Sequence, residues 1–402
     1  MIINDFSNFI IQEVKIIFDI FGEDIRLVGG CVRDMILKKP ITDFDFACKF
    51  SPNKTLEILN NNNIKAIPTG AKFGTITAVI NQKNFQITTL RNDFNYDGRY
   101  CEVNFTSDFL QDAKRRDFTI NAMYLDKNLK IYDYFNGLKD LEDKKIRFIG
   151  DANQRISEDY LRILRFFRFT ANYSNEIDQE TLEICLNYRK NLQKISKERI
   201  RNEFCRILLS VNESLILKIL RIFNESKLDI DLWGCQLDYK AVENYLLLQK
   251  YLDKSSLKTV KIIVAYDVNN NNKNFFFDNF KCTKLEKKII NIFLKITEKY
   301  DFSSIDELKI NQLLINLDKI LLIKIFIIFQ AKNSSKLSQN NLENIITYII
   351  NKKIPRFPVE FSDLKKMNIE LKKSKNVINN LKILWATNDF NILKEELLNK
   401  IK

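Results

Sequence analysis

Two carboxylates one residue apart, Asp43 and Asp45 in Thr42-Asp43-Phe44-Asp45-Phe46-Ala47, are the residues whose type and spacing most directly suggest chemistry. Side chains alternate along a strand, so both acids share one face while Phe44 and Phe46 turn toward a core. Like charges at that spacing repel one another, and packing gives no reason to keep them. A divalent cation resolves the conflict, and carboxylates joined by triphosphate oxygens suit Mg²⁺. About a dozen residues upstream, Arg26-Leu27-Val28-Gly29-Gly30 leaves a strand and enters the helical stretch Cys31-Val32-Arg33-Asp34-Met35-Ile36-Leu37. Two glycines at such a turn let backbone N–H groups approach a phosphate. Each pattern alone has an ordinary reading, a solvated strand edge for the two acids and a plain turn for Gly29 and Gly30.

Further along, Arg115-Arg116-Asp117-Phe118-Thr119-Ile120-Asn121-Ala122 would set Asp117 and Asn121 one turn apart on a helix. In Ser157-Glu158-Asp159-Tyr160-Leu161-Arg162-Ile163-Leu164-Arg165, Ser157 can cap a helix and the two acids suit its first turn. Taken alone, Asp159 and Arg162 at i, i+3 make an ordinary surface ion pair.

Composition narrows the chemistry. None of the 402 residues is histidine, which excludes histidine-based nucleophile systems, general bases and metal sites. Carboxylates, Lys, Arg and oxygen-bound metal are what remains. The net charge of +13 points to a polyanionic partner, although the chain is also rich in Lys, Asn, Ile and Phe, as an AT-rich genome would dictate. Seven cysteines with no CxxC pair fit reduced, buried thiols and a cytoplasmic protein. The longest apolar run, Ile320 to Phe329, is broken by Lys324 and falls short of the ~20 residues that span a bilayer. Asp5, Glu13 and Lys15 interrupt the apolar N-terminus, which lacks a secretory pattern. The expectation is a chain that neither enters a membrane nor needs an obligate protein partner.

Glycine and proline show which elements must position these residues. Eight of nine glycines lie at or before Gly150, and no proline falls between Pro68 and Pro355. The first part carries short β-like runs, Ile25–Val28, Thr42–Cys48, Gly74–Ile80, Asn84–Leu90 and Cys101–Phe105, separated by turns. From about Leu141 the apolar spacing becomes helical, as in Tyr160–Phe169, Ile200–Leu209 and Leu215–Phe223. Asn60–Asn63 and Asn269–Asn272 read as polar loops. The predicted class is α+β: a head with a small mixed β-sheet and helices over 1–140, then an all-α neck over 141–210, body over 211–330 and tail over 331–402.

In order and content, Leu27 to Leu37 followed by Asp43-Phe44-Asp45 resembles the signature of the class II CCA-adding enzyme and bacterial poly(A) polymerase family, within the polymerase β-like nucleotidyltransferases. Residues 115–122 resemble that family's RRDFxxNA motif, Asp133 to Leu141 its DxxGxxDL segment, and Glu158 to Arg165 its EDxxRxLR motif. Phe85 to Arg91 with Asp97-Gly98-Arg99 resembles a strand and flexible loop, and Phe357-Pro358 through Asp363-Leu364 to Trp385 loosely resembles the tail. The resemblance is specific over 25–170 and thin beyond about 210. Two departures stand out: Gln86 where relatives often carry Glu, and Lys38 where glycine is usual.

The resemblance implies in-line attack of an RNA 3′-hydroxyl on the α-phosphate of CTP or ATP, with Asp43 and Asp45 holding Mg²⁺. It implies phosphate contacts from Gly29, Gly30 and Arg33, ribose contacts from Asp117 and Asn121, and further nucleotide contacts from Arg116 and Arg165. Gly137 would supply a permissive joint between head and neck. Asp159 and Arg162 would replace a nucleic-acid template. Cytosine and adenine each present a ring-nitrogen acceptor beside an amine donor, which match Arg, a pure donor, and ionised Asp, a pure acceptor. Guanine and uracil would oppose donor to donor and acceptor to acceptor, and are rejected. The implied partners are the tRNA 3′ end, CTP and ATP; RNA-contacting residues are unassigned. A poly(A) polymerase, a CC-only or A-only enzyme, and a non-enzymatic RNA-binding scaffold are the competing readings.

Overall fold

The computed structural model describes residues 7–94, 102–334 and 337–401. Asp97, Gly98 and Arg99 of the anticipated loop lie outside them.

Apolar residues at helical spacing bury one side of α1 (Gln12–Phe21), through Val14, Ile17, Phe18 and Phe21. β1 (Ile25–Val28), α2 (Gly30–Ile36), β2 (Asp45–Cys48) and α3 (Pro52–Asn61) follow, then β3 (Lys65–Gly70), β4 (Thr75–Ile80), β5 (Lys83–Thr89), β6 (Arg91–Phe94) and β7 (Glu102–Phe105). After α4 (Phe109–Lys114) come β8 (Met123–Leu125) and β9 (Ile131–Asp133). Seven strands form one mixed sheet in the order β3-β4-β5-β2-β1-β8-β9, with β2 parallel to β5 and antiparallel to β1. β2 is therefore central, which suits its buried Phe46, Ala47 and Cys48. Phe46 packs edge-on to Phe18 at 5.8 Å, a burial contributing about 1.5–3 kcal/mol.

Several differences from the sequence expectation have local causes. The strand expected at Thr42 starts only at Asp45, yet the alternation persists, with Phe44 and Phe46 buried and Asp43 and Asp45 exposed. β3 contains Pro68, which an edge strand tolerates. β8 and β9 are three residues each, too short to show a period. β7 pairs with β6 in a separate ribbon instead of joining the main sheet. Lys38 adopts φ +54°, which accounts for the usual glycine there, because a Cβ costs about 1–2 kcal/mol in that region.

The helices that follow are α5 (Gly137–Glu142), α6 (Ala152–Glu158), α7 (Leu161–Tyr173), α8 (Gln179–Asn187) and α9 (Lys197–Leu208), all in the first unit, and α10 (Glu213–Glu225), which begins in it and ends in the second. Ser157 does not cap α7. It lies in the last turn of α6, whose own cap is Asp151, and its hydroxyl donates to the Gln154 carbonyl. The chain breaks at Asp159, which is extended and accepts the Leu161 N–H at 3.1 Å. Gly137 also differs from expectation. It is buried at the start of α5, and an added Cβ would stand 2.4 Å from the Thr119 carbonyl oxygen, so close packing rather than flexibility demands glycine.

The chain separates into two compact units, Met1–Ile219 and Leu220–Lys402. The first holds the segments expected as head and neck. The second is helical apart from a Leu237–Tyr266 bridge among its described residues. Its helix Lys319–Lys332 carries the long apolar run and buries Leu321–Ile323 and Ile325–Ala331. Among the described residues no helix is long and apolar enough to cross a membrane. Trp385, Phe357 and Leu364, noted in the sequence as tail-like, share one cluster in this unit.

Candidate active site

A cavity of about 560 Å³ opens in the first unit between the sheet and helices α7 and α9. That volume lies within the usual range for small-molecule sites. Its floor is the β1–α2 turn. Gly29 has φ +76°, a conformation that L side chains rarely adopt, so the backbone shape of the turn calls for glycine.

Asp45 reaches the cavity from the start of β2. Burial raises its pKa, Arg116 opposes the rise, and the charge of Asp43 adds to it. Asp43 is exposed, accepts the Thr42 hydroxyl at 3.0 Å, and does not line the cavity. Gln86 stands directly opposite Asp45 in the parallel β2–β5 register and is exposed. Among the described residues no group of three or more Asp, Glu, Cys or His side chains could hold a metal. The oxygen donors here are thus the two carboxylates, with the Gln86 amide beside them, and a hard cation would relieve the conflict burial and repulsion impose on Asp45.

Around this floor, charged groups form two networks. Arg116 donates to Asp112 at 3.1 Å and to the Tyr124 hydroxyl at 3.2 Å, while Tyr124 donates to Asp112 at 2.7 Å. The second network is continuous from α2 to α7. Arg33 donates to Asp34 at 3.0 Å and to the Asn121 amide oxygen at 2.6 Å. Asn121 donates to Asp117 at 3.1 Å, and Asp117 accepts Arg165 of α7 at 2.7 Å. Asp117 and Asn121 meet here without the α-helix expected for them. Helix α4 stops at Lys114, Phe118 forms a bridge to Phe148, and Asn121 closes a short 3-10 turn.

Burial works against the charged forms of Asp112 and Asp117, but neighbouring arginines outweigh it and hold each pKa at about 2. Both values lie below the unfolded value of about 3.9, so both acids stabilise the fold above pH ~4 and lose that contribution as pH falls toward 2. Each is worth on the order of 2 kcal/mol. Urea unfolding at stepped pH should show stability dropping across that window, and less steeply in Asp117→Asn. An equal slope in the variant would contradict the assignment.

Asp159 and Arg162 stand at the α6–α7 junction and do not line the cavity. Asp159 accepts Arg199 of α9 at 2.9 Å. Arg162 is buried, paired with Glu158 and donating to the Arg155 carbonyl at 2.6 Å. The structure thus brings Gly29, Gly30, Arg33, Asp45, Arg116, Asp117, Asn121 and Arg165 to one cavity and leaves Asp43, Asp159 and Arg162 beside it.

Sequence reading missed the next turns of α7. Arg168, Phe169, Asn172 and Tyr173 also line the cavity, and stepping at helical intervals from Arg165 would have found them. Guanidinium carbons of Arg33, Arg165 and Arg168 lie 5.5, 5.5 and 4.5 Å from the centre of the Phe169 ring, so one aromatic ring serves three cations. Burial pulls Arg168 down to about 10 against Glu203, 3.2 Å away, while Arg165 and Arg206 add like-charge repulsion. Such an arginine gains from an anion. Arginines crowded beside a glycine turn and a carboxylate can hold a triphosphate and, with a cation, polarise it.

Residues 25–147 match the family model described as "Poly A polymerase head domain", and residues 176–224 that described as "Probable RNA and SrmB- binding site of polymerase A". The chain is 31% identical over 412 residues to the Homo sapiens protein named "CCA tRNA nucleotidyltransferase 1, mitochondrial", covering 99% of this chain and 92% of that one. It is 38% identical over 193 residues to a Staphylococcus epidermidis CCA-adding enzyme, covering 48% of this chain and 47% of the other. Among solved structures, the fold matches a Bacillus stearothermophilus CCA-adding enzyme in complex with CTP, with TM-score 0.77 and 22% identity over 97% of both chains. It also matches a Thermotoga maritima CCA-adding enzyme complexed with tRNA, with TM-score 0.70 and 18% identity over 98% and 97%.

Proposed function

This chain belongs to the CCA tRNA nucleotidyltransferase family, and from that premise we propose that its cavity adds C, C and A to the tRNA 3′ end from CTP and ATP without a nucleic-acid template. The observation that carries this reading is the convergence of Gly29, Gly30, Arg33, Asp45 and Arg116 with Asp117, Asn121 and Arg165 on one cavity.

Gly29 and Gly30 admit the triphosphate close to the backbone, and Arg33, Arg116 and Arg168 offset its charge. Asp117 and Asn121 meet the ribose hydroxyls, with Arg165 fixing the Asp117 carboxylate. Asp43 and Asp45 would hold Mg²⁺, as a two-metal pair, which when bound lowers the pKa of the attacking 3′-hydroxyl and offsets charge on the phosphates. Gln86, a neutral amide, adds no third charge to that site. Asp159 and Arg162 select C and A by their donor and acceptor pattern. They stand at the head of the helix whose later turns line the cavity, and selection requires Arg162 to turn from Glu158 toward the base. The functional divisions are head 1–140, neck 141–210, body 211–330 and tail 331–402. Lysines and arginines of the helical part grip the RNA backbone, so binding weakens with salt. The free cysteines among the described residues suit the reducing cytoplasm.

The test incubates tRNA transcripts ending before CCA, after C and after CC with each NTP and Mg²⁺, and sizes the products. Three additions that then stop are expected. A long A ladder would move the assignment to poly(A) polymerase, and arrest at partial products to a CC-adding or A-adding enzyme. Binding with no extension would leave an RNA-binding scaffold. In the same assay Asp159→Ala and Arg162→Ala should relax the choice of base. Full C/A preference at full rate in either variant would overturn the selection reading.

A further inference from the structure

The cavity has a wall that the nucleotide reading leaves without work. Arg206, in the last turn of α9, and Leu209, which ends that helix, line it on the side facing the neck. Arg206 keeps 62% of its side chain exposed and meets Glu203 only at 3.5 Å, while Glu203 already faces Arg168. The other lining arginines are held far more tightly in the networks above. Leu209, one turn further on the same side, is 44% exposed, an unusual place for an aliphatic side chain at the mouth of a charged cavity.

This rim is built rather than loose. Asn172 of α7 donates to the Ser210 hydroxyl at 2.7 Å and to the Arg168 carbonyl at 2.8 Å. Ser210 in turn donates to the Arg206 carbonyl at 3.0 Å, and the Asn212 N–H reaches the Ala171 carbonyl at 3.3 Å. The end of α9 is thereby pinned to the helix that forms the cavity wall. An exposed cation beside an exposed apolar surface matches one nucleotide unit, a phosphodiester next to the flat face of a base.

We propose that Arg206 and Leu209 form a subsite for the terminal nucleotide of the acceptor RNA, with Arg206 on its phosphodiester and Leu209 against its base. The inference rests on the nucleotidyltransferase reading. It explains how the 3′-hydroxyl is presented: the triphosphate occupies the floor at Gly29, Gly30 and Asp45, and the acceptor enters across the pinned end of α9. Both residues fall within the segment, 176–224, that matches the family described as a probable RNA-binding site.

The test uses the full chain with a tRNA transcript lacking CCA, and variants Arg206→Ala, Arg206→Lys and Leu209→Ser. Arg206→Ala and Leu209→Ser should raise KM for the RNA by roughly 5- to 20-fold with KM for CTP unchanged within about twofold, and Arg206→Lys should recover most of the loss. Loss of one phosphate contact should flatten the salt slope of RNA binding by about 0.7. In a binding assay with a blunt minihelix that lacks unpaired 3′ nucleotides, the penalty should vanish. An equal penalty on that RNA, a raised KM for CTP instead, or an unmoved RNA KM would each overturn the subsite. Failure of the wild-type chain to extend any RNA would instead remove the reading beneath it. Circular dichroism melts that match wild type separate these outcomes from misfolding.

Discussion

An Asp45→Asn variant is expected to lose about a thousandfold in kcat while binding tRNA within about twofold of wild type. Asp45 is the acid that enters the cavity, and its charge is what a cation and a pentavalent phosphorus centre would both depend on. The side chain keeps solvent exposure at the start of β2, and its charge is disfavoured by the surrounding protein and by Asp43, with Arg116 acting the other way. Removing that charge relieves the conflict, so the melting temperature should hold or rise as activity disappears, the behaviour expected where a site trades stability for function. Single-turnover extension, an RNA mobility shift and a thermal melt on one preparation check the three parts. Retention of more than a tenth of the wild-type rate would rule out the central role of Asp45.

The second large effect is expected at Asp117. Its carboxylate accepts the Phe118 N–H at 2.9 Å, the Asn121 amide at 3.1 Å and Arg165 at 2.7 Å; the carboxylate is buried and the arginine partly exposed. Asp117→Ala removes the hydrogen-bond partner of the Arg165 guanidinium and breaks the path from Arg33 through Asn121 to α7, leaving the one through Asp34 and Tyr173. Removing one member of a fully buried ion pair costs about 3–5 kcal/mol; with Arg165 partly exposed the loss is smaller, and the variant should still melt at a lower temperature. It should also lose roughly a hundredfold in kcat/KM, because the carboxylate proposed to meet the ribose and the position of Arg165 go together. Asp117→Asn separates the two effects. The amide can keep part of the hydrogen bonding but not the charge on Arg165, so it should recover stability more than activity. A near-normal melt and rate for Asp117→Ala would show that the network is dispensable.

The two predictions fall on different kinds of residue, and the difference shows in how legible each was. Asp43, Asp45, Gly29 and Gly30 could be read directly. Period-2 alternation puts both acids on one face whether or not the strand ladder reaches Asp43, and the glycine pair, an ordinary turn by itself, gains meaning from the two acids that follow it. The mixed-sheet head and helical remainder were legible for the same reason, since apolar periodicity is a local property. The two aspartates at 112 and 117 illustrate the opposite case. Asp112 and Arg116 stand at the i, i+4 spacing of an ordinary helical ion pair, but nothing in the chain marks Tyr124 as their third partner, and the Asp117–Asn121 pair survives although the helix expected to create it is absent.

Tertiary structure alone decided which groups share the cavity. Arg33 and Asn121 are 88 positions apart, and Asp117 and Arg165 are 48. Their meeting depends on how α2 and α7 close around the sheet, which no window of sequence contains. The same holds for Gly137, required by a carbonyl from Thr119 rather than by its own freedom, and for Arg206 and Leu209, whose place at the rim follows from Asn172 and Ser210 pinning α9. Chemistry that rests on residue type and short spacing was written in the sequence by itself. Charge networks and cavity walls were not, because long-range packing sets the distances on which electrostatics and hydrogen bonding depend.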